Sequence, residues 1–171
     1  MMNIENVVEL LKKADNLGIA VWLDGGWGVD ALIGKQTRPH NDLDIFVQKK
    51  DKQTFIEMLD SEGYKEHIVD FTSEDHTEWK NDNGYIVDLH LFEIVNEANL
   101  LFQNEIFPSD VFNGKGIIGE IQVNCLAVEA QILYHDGYEL GEKDVNDILL
   151  LCETFDKPIP ERVLGFKNKN N

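Results

Sequence analysis

Asp42 and Asp44 stand two residues apart in Asp42-Leu43-Asp44-Ile45-Phe46-Val47, a run whose apolar alternation predicts a strand. Residues two apart on a strand point to the same side, so the two carboxylates share one face, about 7 Å apart at the backbone. Bare carboxylates held side by side repel each other, and a divalent cation between them removes that cost. Mg²⁺ favours oxygen ligands shared with a substrate phosphate. A lone Asp-x-Asp is more often a solvated strand face, but three further features favour chemistry. The strand is rich in Leu, Ile, Phe and Val, which predicts a central position. Gly25-Gly26 falls between the apolar run at residues 19–23 and a helix expected over residues 27–33. Read as a turn, it lets backbone approach phosphate closely, and the helix N-terminus directs free N–H groups at the anion. Asp88 and His90 share a face of a later strand, and a third carboxylate meeting the first two completes a two-metal site.

Two competing motifs fail. Gly26-Trp27-Gly28-Val29-Asp30-Ala31 fits the G-x-G-x-x-A dinucleotide fingerprint. The ribose-binding acid of that motif closes its strand, whereas Asp42 and Asp44 open theirs. Gly28 to Lys35 approaches a P-loop but fails in spacing and at Gln36.

The elements that must position these groups follow from periodicity. Ile4, Val7, Val8, Leu11, Ala14 and Leu17 predict an amphipathic helix over residues 4–17, stopped by Gly18. A strand at 19–23, the helix at 27–33 ending at Gly34, a polar loop from Lys35 to Asn41 and the Asp42 strand follow. Residues 51–62 predict another helix, closed by Gly63. Residues 76–80 and 85–93 flank Asn81-Asp82-Asn83-Gly84, a hairpin signal because Asn-Gly favours positive φ. Asn113-Gly114-Lys115-Gly116 reads as a turn before a strand at 117–123, and helices are expected at 127–134 and 142–155. The fold class is α+β, a mixed β-sheet flanked by helices. Residues 1–171 read as a single domain, with a catalytic α/β core in 1–100 and a mostly helical C-terminal part in 101–171.

The 171 residues suit one domain, and a 43% hydrophobic fraction is enough to fill its core. The formal net charge is −17, so the surface repels nucleic acid and attracts cationic small molecules, besides keeping the chain soluble. No nucleic-acid or membrane partner is expected. No apolar run approaches the roughly 20 residues that span a bilayer. Charged Lys12, Lys13 and Asp15 precede any long apolar stretch, which argues against a secretory signal. Cys125 and Cys152 lack metal-type spacing, and reduced thiols suit a cytoplasmic protein.

The runs Trp22-Leu23-Asp24-Gly25-Gly26-Trp27-Gly28-Val29-Asp30-Ala31 and Gly34-Lys35-Gln36-Thr37-Arg38-Pro39-His40-Asn41-Asp42-Leu43-Asp44-Ile45 carry a resemblance. So do Val87-Asp88-Leu89-His90 and residues 129–138. At these residues the chain resembles the DNA polymerase β-type nucleotidyltransferase superfamily, and within it the small lincosamide and aminoglycoside 2″-O-nucleotidyltransferases. The resemblance implies a nucleotidyltransferase fold and transfer of a nucleoside monophosphate from ATP, or another nucleoside triphosphate, to a hydroxyl of an antibiotic. It implies Mg²⁺, as two ions, on Asp42, Asp44 and Asp88. Gly25 and Gly26 would contact the triphosphate, and Arg38 and Lys35 would neutralise it. Either Asp88 or His90 would be the general base, although His90 reads equally well as a packed strand histidine. The Asp88-x-His90 pair leans toward a lincosamide and the acidic surface toward an aminoglycoside. The resemblance also allows a homodimer, since relatives often pair to build the acceptor pocket, although nothing in the residue pattern shows it. A toxin–antitoxin component or a non-catalytic nucleotide-binding module is the reading of another class.

Weaker candidates remain. Trp79, Tyr85 and Tyr138 could line an acceptor pocket or simply pack. Asp144 and Asp147 share a helix face that could bind a cation but reads more readily as solvated. Glu74, Asp75 and Glu78 read as a loop cluster.

Overall fold

Asn3 starts the first helix by a reciprocal exchange. Its side chain accepts from the Asn6 N–H at 2.9 Å, and the Asn6 side chain accepts from the Asn3 N–H at 3.2 Å. Helix α1 (Ile4–Asn16) buries Val7, Leu11 and Ala14 of the predicted stripe together with Leu10, while Leu17 is exposed at its C-cap and Gly18 follows at φ +73°. The computed structural model describes residues 1–137 and 139–169. Along the chain follow β1 (Val21–Leu23), α2 (Gly25–Ile33), β2 (Asp42–Gln48), α3 (Lys52–Ser61), β3 (Lys65–His67), β4 (His76–Lys80) and β5 (Ile86–Asn96). Then come β6 (Asn99–Phe102), β7 (Glu105–Pro108), β8 (Gly114–Ile118), β9 (Ile121–Cys125), α4 (Val128–His135), α5 (Glu142–Phe155) and α6 (Glu161–Lys169).

The strands order as β3-β4-β5-β2-β1-β9-β8, and β6 and β7 extend from the far end of β5. The sheet is mixed, as expected: β1 runs antiparallel to β2 but parallel to β9, and β2 runs parallel to β5. Alternation along the central strands assigns their two faces. Leu43, Ile45 and Val47 of β2 join Val87, Leu89 and Leu91 of β5 in one core with residues of α1 and α3. The opposite face carries Asp42, Asp44 and Phe46 beside Asp88, His90 and Phe92. Its apolar end forms an aromatic cluster with Leu100, Leu126 and Ala130. A third cluster joins α2, α4, α5 and α6 through Val29, Ile132, Ile148, Leu151 and Val163.

Three expectations change. Gly25 and Gly26 form the first turn of α2 rather than a separate turn, and Asp24 is its N-cap. The stretch from Gly114 to Gly116 opens β8 instead of turning. A Cβ on Gly116 would lie 2.3 Å from the Ala31 carbonyl oxygen of α2, and one on Gly114 would lie 2.2 Å from the Leu126 oxygen. These glycines permit close approach of backbones, not reversal of the chain. Finally, residues 99–125 supply four strands where the sequence marked one at 117–123; a short 3-10 turn at Ser109–Phe112 lies among them, and the α-helices of the C-terminal part begin at Val128. Among the described residues no helix is long and apolar enough to cross a membrane.

Candidate active site

The parallel pairing of β2 with β5 puts Asp44 directly opposite Asp88, and Phe46 opposite His90. The next register, β4 against β5, puts His76 opposite His90. Asp24 joins them from the end of β1, where its backbone N–H donates to the Asp44 carbonyl at 2.9 Å. The four carboxylates of Asp24, Asp42, Asp44 and Asp88 thus open on one cleft of about 460 Å³, bordered by Gly25, Gly26 and Arg38. Burial, then the neighbouring Asp42, Asp24 and Asp88, holds the Asp44 carboxyl well above the usual carboxylate range. Burial also raises Asp24, against a hydrogen bond from the Gly25 backbone N–H.

This donor set suits a hard divalent cation: the ligands are carboxylate oxygens, and their mutual repulsion calls for a cation. The glycines complete the cradle. Gly25 has φ +55°, and a Cβ there would lie 2.2 Å from Asp44 Oδ2. A Cβ on Gly26 would lie 2.1 Å from His40 Nδ1. A larger residue at Gly25 would fill the space between the N-terminus of α2 and Asp44, and one at Gly26 would run into His40 and Arg38.

A chain of polar contacts runs behind the glycines. Arg38 Nη1 lies 3.0 Å from His40 Nδ1. Arginine only donates, so Nδ1 accepts, and the His40 proton sits on Nε2 and donates to Asp30 Oδ2 at 2.5 Å. Asp30 Oδ1 accepts from the Thr37 N–H and hydroxyl at 2.9 and 2.6 Å. Asp147 of α5 takes the other side of Arg38, with Nη2 to Oδ2 at 2.6 Å and Nε to Oδ1 at 3.1 Å. Asp147 is therefore buried and paired, which overturns its reading as a solvated helix face. Asp144 Oδ2 instead accepts from the Gly141 N–H at the start of α5, at 2.8 Å.

On the β5 side, Asp88 Oδ1 accepts from His76 Nε2 at 2.7 Å. The His76 ring stacks on Phe71 at 4.4 Å and approaches the His90 ring to 4.1 Å. His90 also stacks on Phe46 at 4.8 Å. Burial, with His76 adjacent, pushes the His90 imidazole down to about 4.

Of the residues singled out from the sequence, the cleft gathers Gly25, Gly26, Arg38, Asp42, Asp44, Asp88 and His90. Lys35 is exposed and lies outside the lining; Lys143 of α5 lines the cleft instead. Trp79 is a core residue whose Nε1 donates to Thr77 Oγ1 at 2.9 Å, and Tyr85 packs on the same core. Tyr134 lines the cleft, and Tyr138 lies outside the described residues. Asp75 pairs with Lys49 and Glu78 with His67. Sequence reasoning missed Asp24, Asp30, His40 and His76 as contributors and set Asp147 aside as solvated. An acid amid the apolar run of α2 was the available signal for Asp30.

Comparison with known proteins bears on this arrangement. Residues 6–151 match the family model described as aminoglycoside-2″-adenylyltransferase. The chain belongs to that family. It is a nucleotidyltransferase, and the α+β nucleotidyltransferase fold expected from the motif is the fold observed. A lincosamide resistance protein of Staphylococcus haemolyticus is 34% identical over 157 residues, 86% of this chain and 96% of that protein. A 2″-aminoglycoside nucleotidyltransferase of Escherichia coli is 30% identical over 69 residues, 39% of each chain. Among solved structures, the lincomycin-bound lincosamide antibiotic adenylyltransferase LnuA has a TM-score of 0.75 at 31% identity, covering 85% of this chain and 93% of its own. ANT(2″)-Ia in complex with adenylyl-2″-tobramycin has a TM-score of 0.76 over 98% of both chains; at 18% identity it supports the fold alone.

Proposed function

We propose that this family member transfers a nucleoside monophosphate from ATP, or another nucleoside triphosphate, to a hydroxyl of a lincosamide antibiotic, releasing pyrophosphate. The observation that carries the reaction is the in-register meeting of Asp44 and Asp88 at the glycine-rich start of α2. Similarity across most of the chain to a lincosamide resistance protein carries the acceptor class.

Asp42, Asp44 and Asp88 would hold Mg²⁺, with Asp24 adding charge behind them. When bound, two such ions neutralise the triphosphate and stabilise the departing pyrophosphate. The chain's own groups do the rest. The start of α2 at Gly25 and Gly26 would contact the phosphates through its free N–H groups, and Arg38, fixed by Asp147 beside Gly26, would supply a cation. Lys143 adds a second cation. Asp88 Oδ2, with Oδ1 engaged by His76, takes the proton of the attacking hydroxyl. The stacking of His90 between Phe46 and His76 and its depressed basicity favour Asp88 over His90 for that role.

The net charge of −17 supports a small cationic acceptor over nucleic acid. The two free, buried cysteines and the need for ATP support a cytoplasmic location. An aminoglycoside is the second reading, favoured by the family match and the acidic surface.

Pyrophosphate release from ATP and Mg²⁺, measured separately with lincomycin, clindamycin and several aminoglycosides, tests the proposal. Release with a lincosamide, abolished by EDTA, is expected. Release with an aminoglycoside alone would replace the acceptor while keeping the reaction.

A further inference from the structure

We infer that His76, Asp88 and His90 form a binding site for a borderline transition-metal ion such as Zn²⁺, distinct from the all-oxygen Mg²⁺ site and sharing Asp88 with it. This rests on the reading of Asp88 given above.

The sheet register builds the triad. His76 and His90 face each other across β4 and β5, and Asp88 precedes His90 by two residues on the same face. One ligand atom from each of the three lies within 4.8 Å of the others, and His76 Nε2 is already 2.7 Å from Asp88 Oδ1. With metal–ligand bonds of about 2.0–2.2 Å, small side-chain rotations close the rest of the gap. All three residues are half-buried at the cleft, which leaves a coordination position open.

A second observation points the same way. His90 Nδ1 is buried without a hydrogen-bond partner in a ring otherwise held by aromatic contacts. A buried imidazole nitrogen left unsatisfied calls for an ion or water. Phe71 against His76 and Phe46 against His90 fix the two rings and shield them.

Donor chemistry divides the cleft between cations. Imidazole suits Zn²⁺, Co²⁺ and Ni²⁺, whereas carboxylate and water suit Mg²⁺. Asp42 and Asp44 form the oxygen half, His76 and His90 the nitrogen half, and Asp88 belongs to both. A metal in the nitrogen half displaces the proton between His76 and Asp88 and engages the Asp88 carboxylate. Zn²⁺ therefore opposes transfer by withdrawing Asp88 from Mg²⁺ and acceptor.

The test uses the full chain, first stripped of metal and then held in excess Mg²⁺. Zn²⁺ is titrated by calorimetry, and Co²⁺ by its visible absorption. In wild-type protein labelled with ¹⁵N-histidine, Zn²⁺ should shift the His76 and His90 ring resonances and leave His67 unmoved. His76→Gln and His90→Gln should each weaken Zn²⁺ binding by about ten-fold or more, while in the absence of Mg²⁺ Asp44→Asn changes it less than about two-fold. Zn²⁺ that leaves both ring signals unmoved, or binds equally well to both glutamine variants, would overturn the assignment. These readouts need no turnover, so failure of the acceptor assay leaves them standing. Where transfer is measured, Zn²⁺ should inhibit it in competition with Mg²⁺, and His76→Gln should be less sensitive.

Discussion

Asp147 on α5 grips Arg38 by one guanidinium edge, through Nε and Nη2, although the two residues are far apart in sequence. The pair ties the C-terminal helices to the loop that precedes Asp42 and Asp44. Losing the carboxylate should free Arg38 to swing away from the triphosphate. Asp147→Asn should raise KM for ATP several-fold more than it lowers kcat. It should also destabilise the fold by about 1.5–3 kcal/mol, the usual loss for a hydrogen bond to a charged partner. Steady-state kinetics with ATP varied, alongside urea unfolding, checks both; an unchanged KM would detach Asp147 from nucleotide binding.

Asp44→Asn should separate activity from stability. The folded-state pKa of Asp44 is raised, so its contribution is fully present below its unfolded pKa of about 3.9 and is lost as pH rises through the folded value. The metal-free protein should therefore lose stability toward neutral pH, and the asparagine variant should lose less. In EDTA its Tm at pH 7 should exceed that of wild type; with Mg²⁺ the order should reverse, and transfer should be abolished. Thermal melts across pH 4–8 settle the point, and a variant less stable in EDTA would refute the electrostatic account.

Two glycines should fail differently. Gly116→Ala forces a methyl against the Ala31 carbonyl, and should cost about 1–3 kcal/mol of stability by overpacking. Gly26→Ala drives a methyl into the His40 and Arg38 side chains beside the phosphates, and should cut transfer at least ten-fold more than Gly116→Ala does. Unfolding curves and rates for both variants decide whether the contrast holds.

With Asp88 as the proposed base, His90→Gln should lower kcat while keeping the shape of the pH–rate profile. Asp88→Asn should abolish transfer. Loss of the acidic limb in His90→Gln would move the base to His90.

The site was more legible than its supports. Asp42, Asp44 and Asp88 announce themselves because strand alternation fixes their face from local sequence alone, and the glycine pair by its place between an apolar run and a helix. Their meeting depended on β2 pairing in parallel with β5, which no local pattern encodes. Asp30 escaped notice and Asp147 was read as solvated because a buried acid and a surface acid look alike in one dimension; only their partners, His40 for one and Arg38 far along the chain for the other, tell them apart. The same limit misled the reading of Gly114 and Gly116. A glycine needed for backbone contact is indistinguishable from one needed for a turn until the neighbouring helix is in place.

Strand β1 receives one neighbour early and the other late. Leu23 pairs with Ile45 of β2, but on its other side with Cys125 of β9. At about 5–20 residues per second, a ribosome needs on the order of 5–20 s to make the intervening chain. Through that interval the Val21–Leu23 edge is unpaired, and the turn that carries Asp24 and Gly25 is held from one side only. The cleft is thus a late product of translation, and a nascent chain stalled before β9 presents an apolar edge suited to a chaperone or to another unfinished copy.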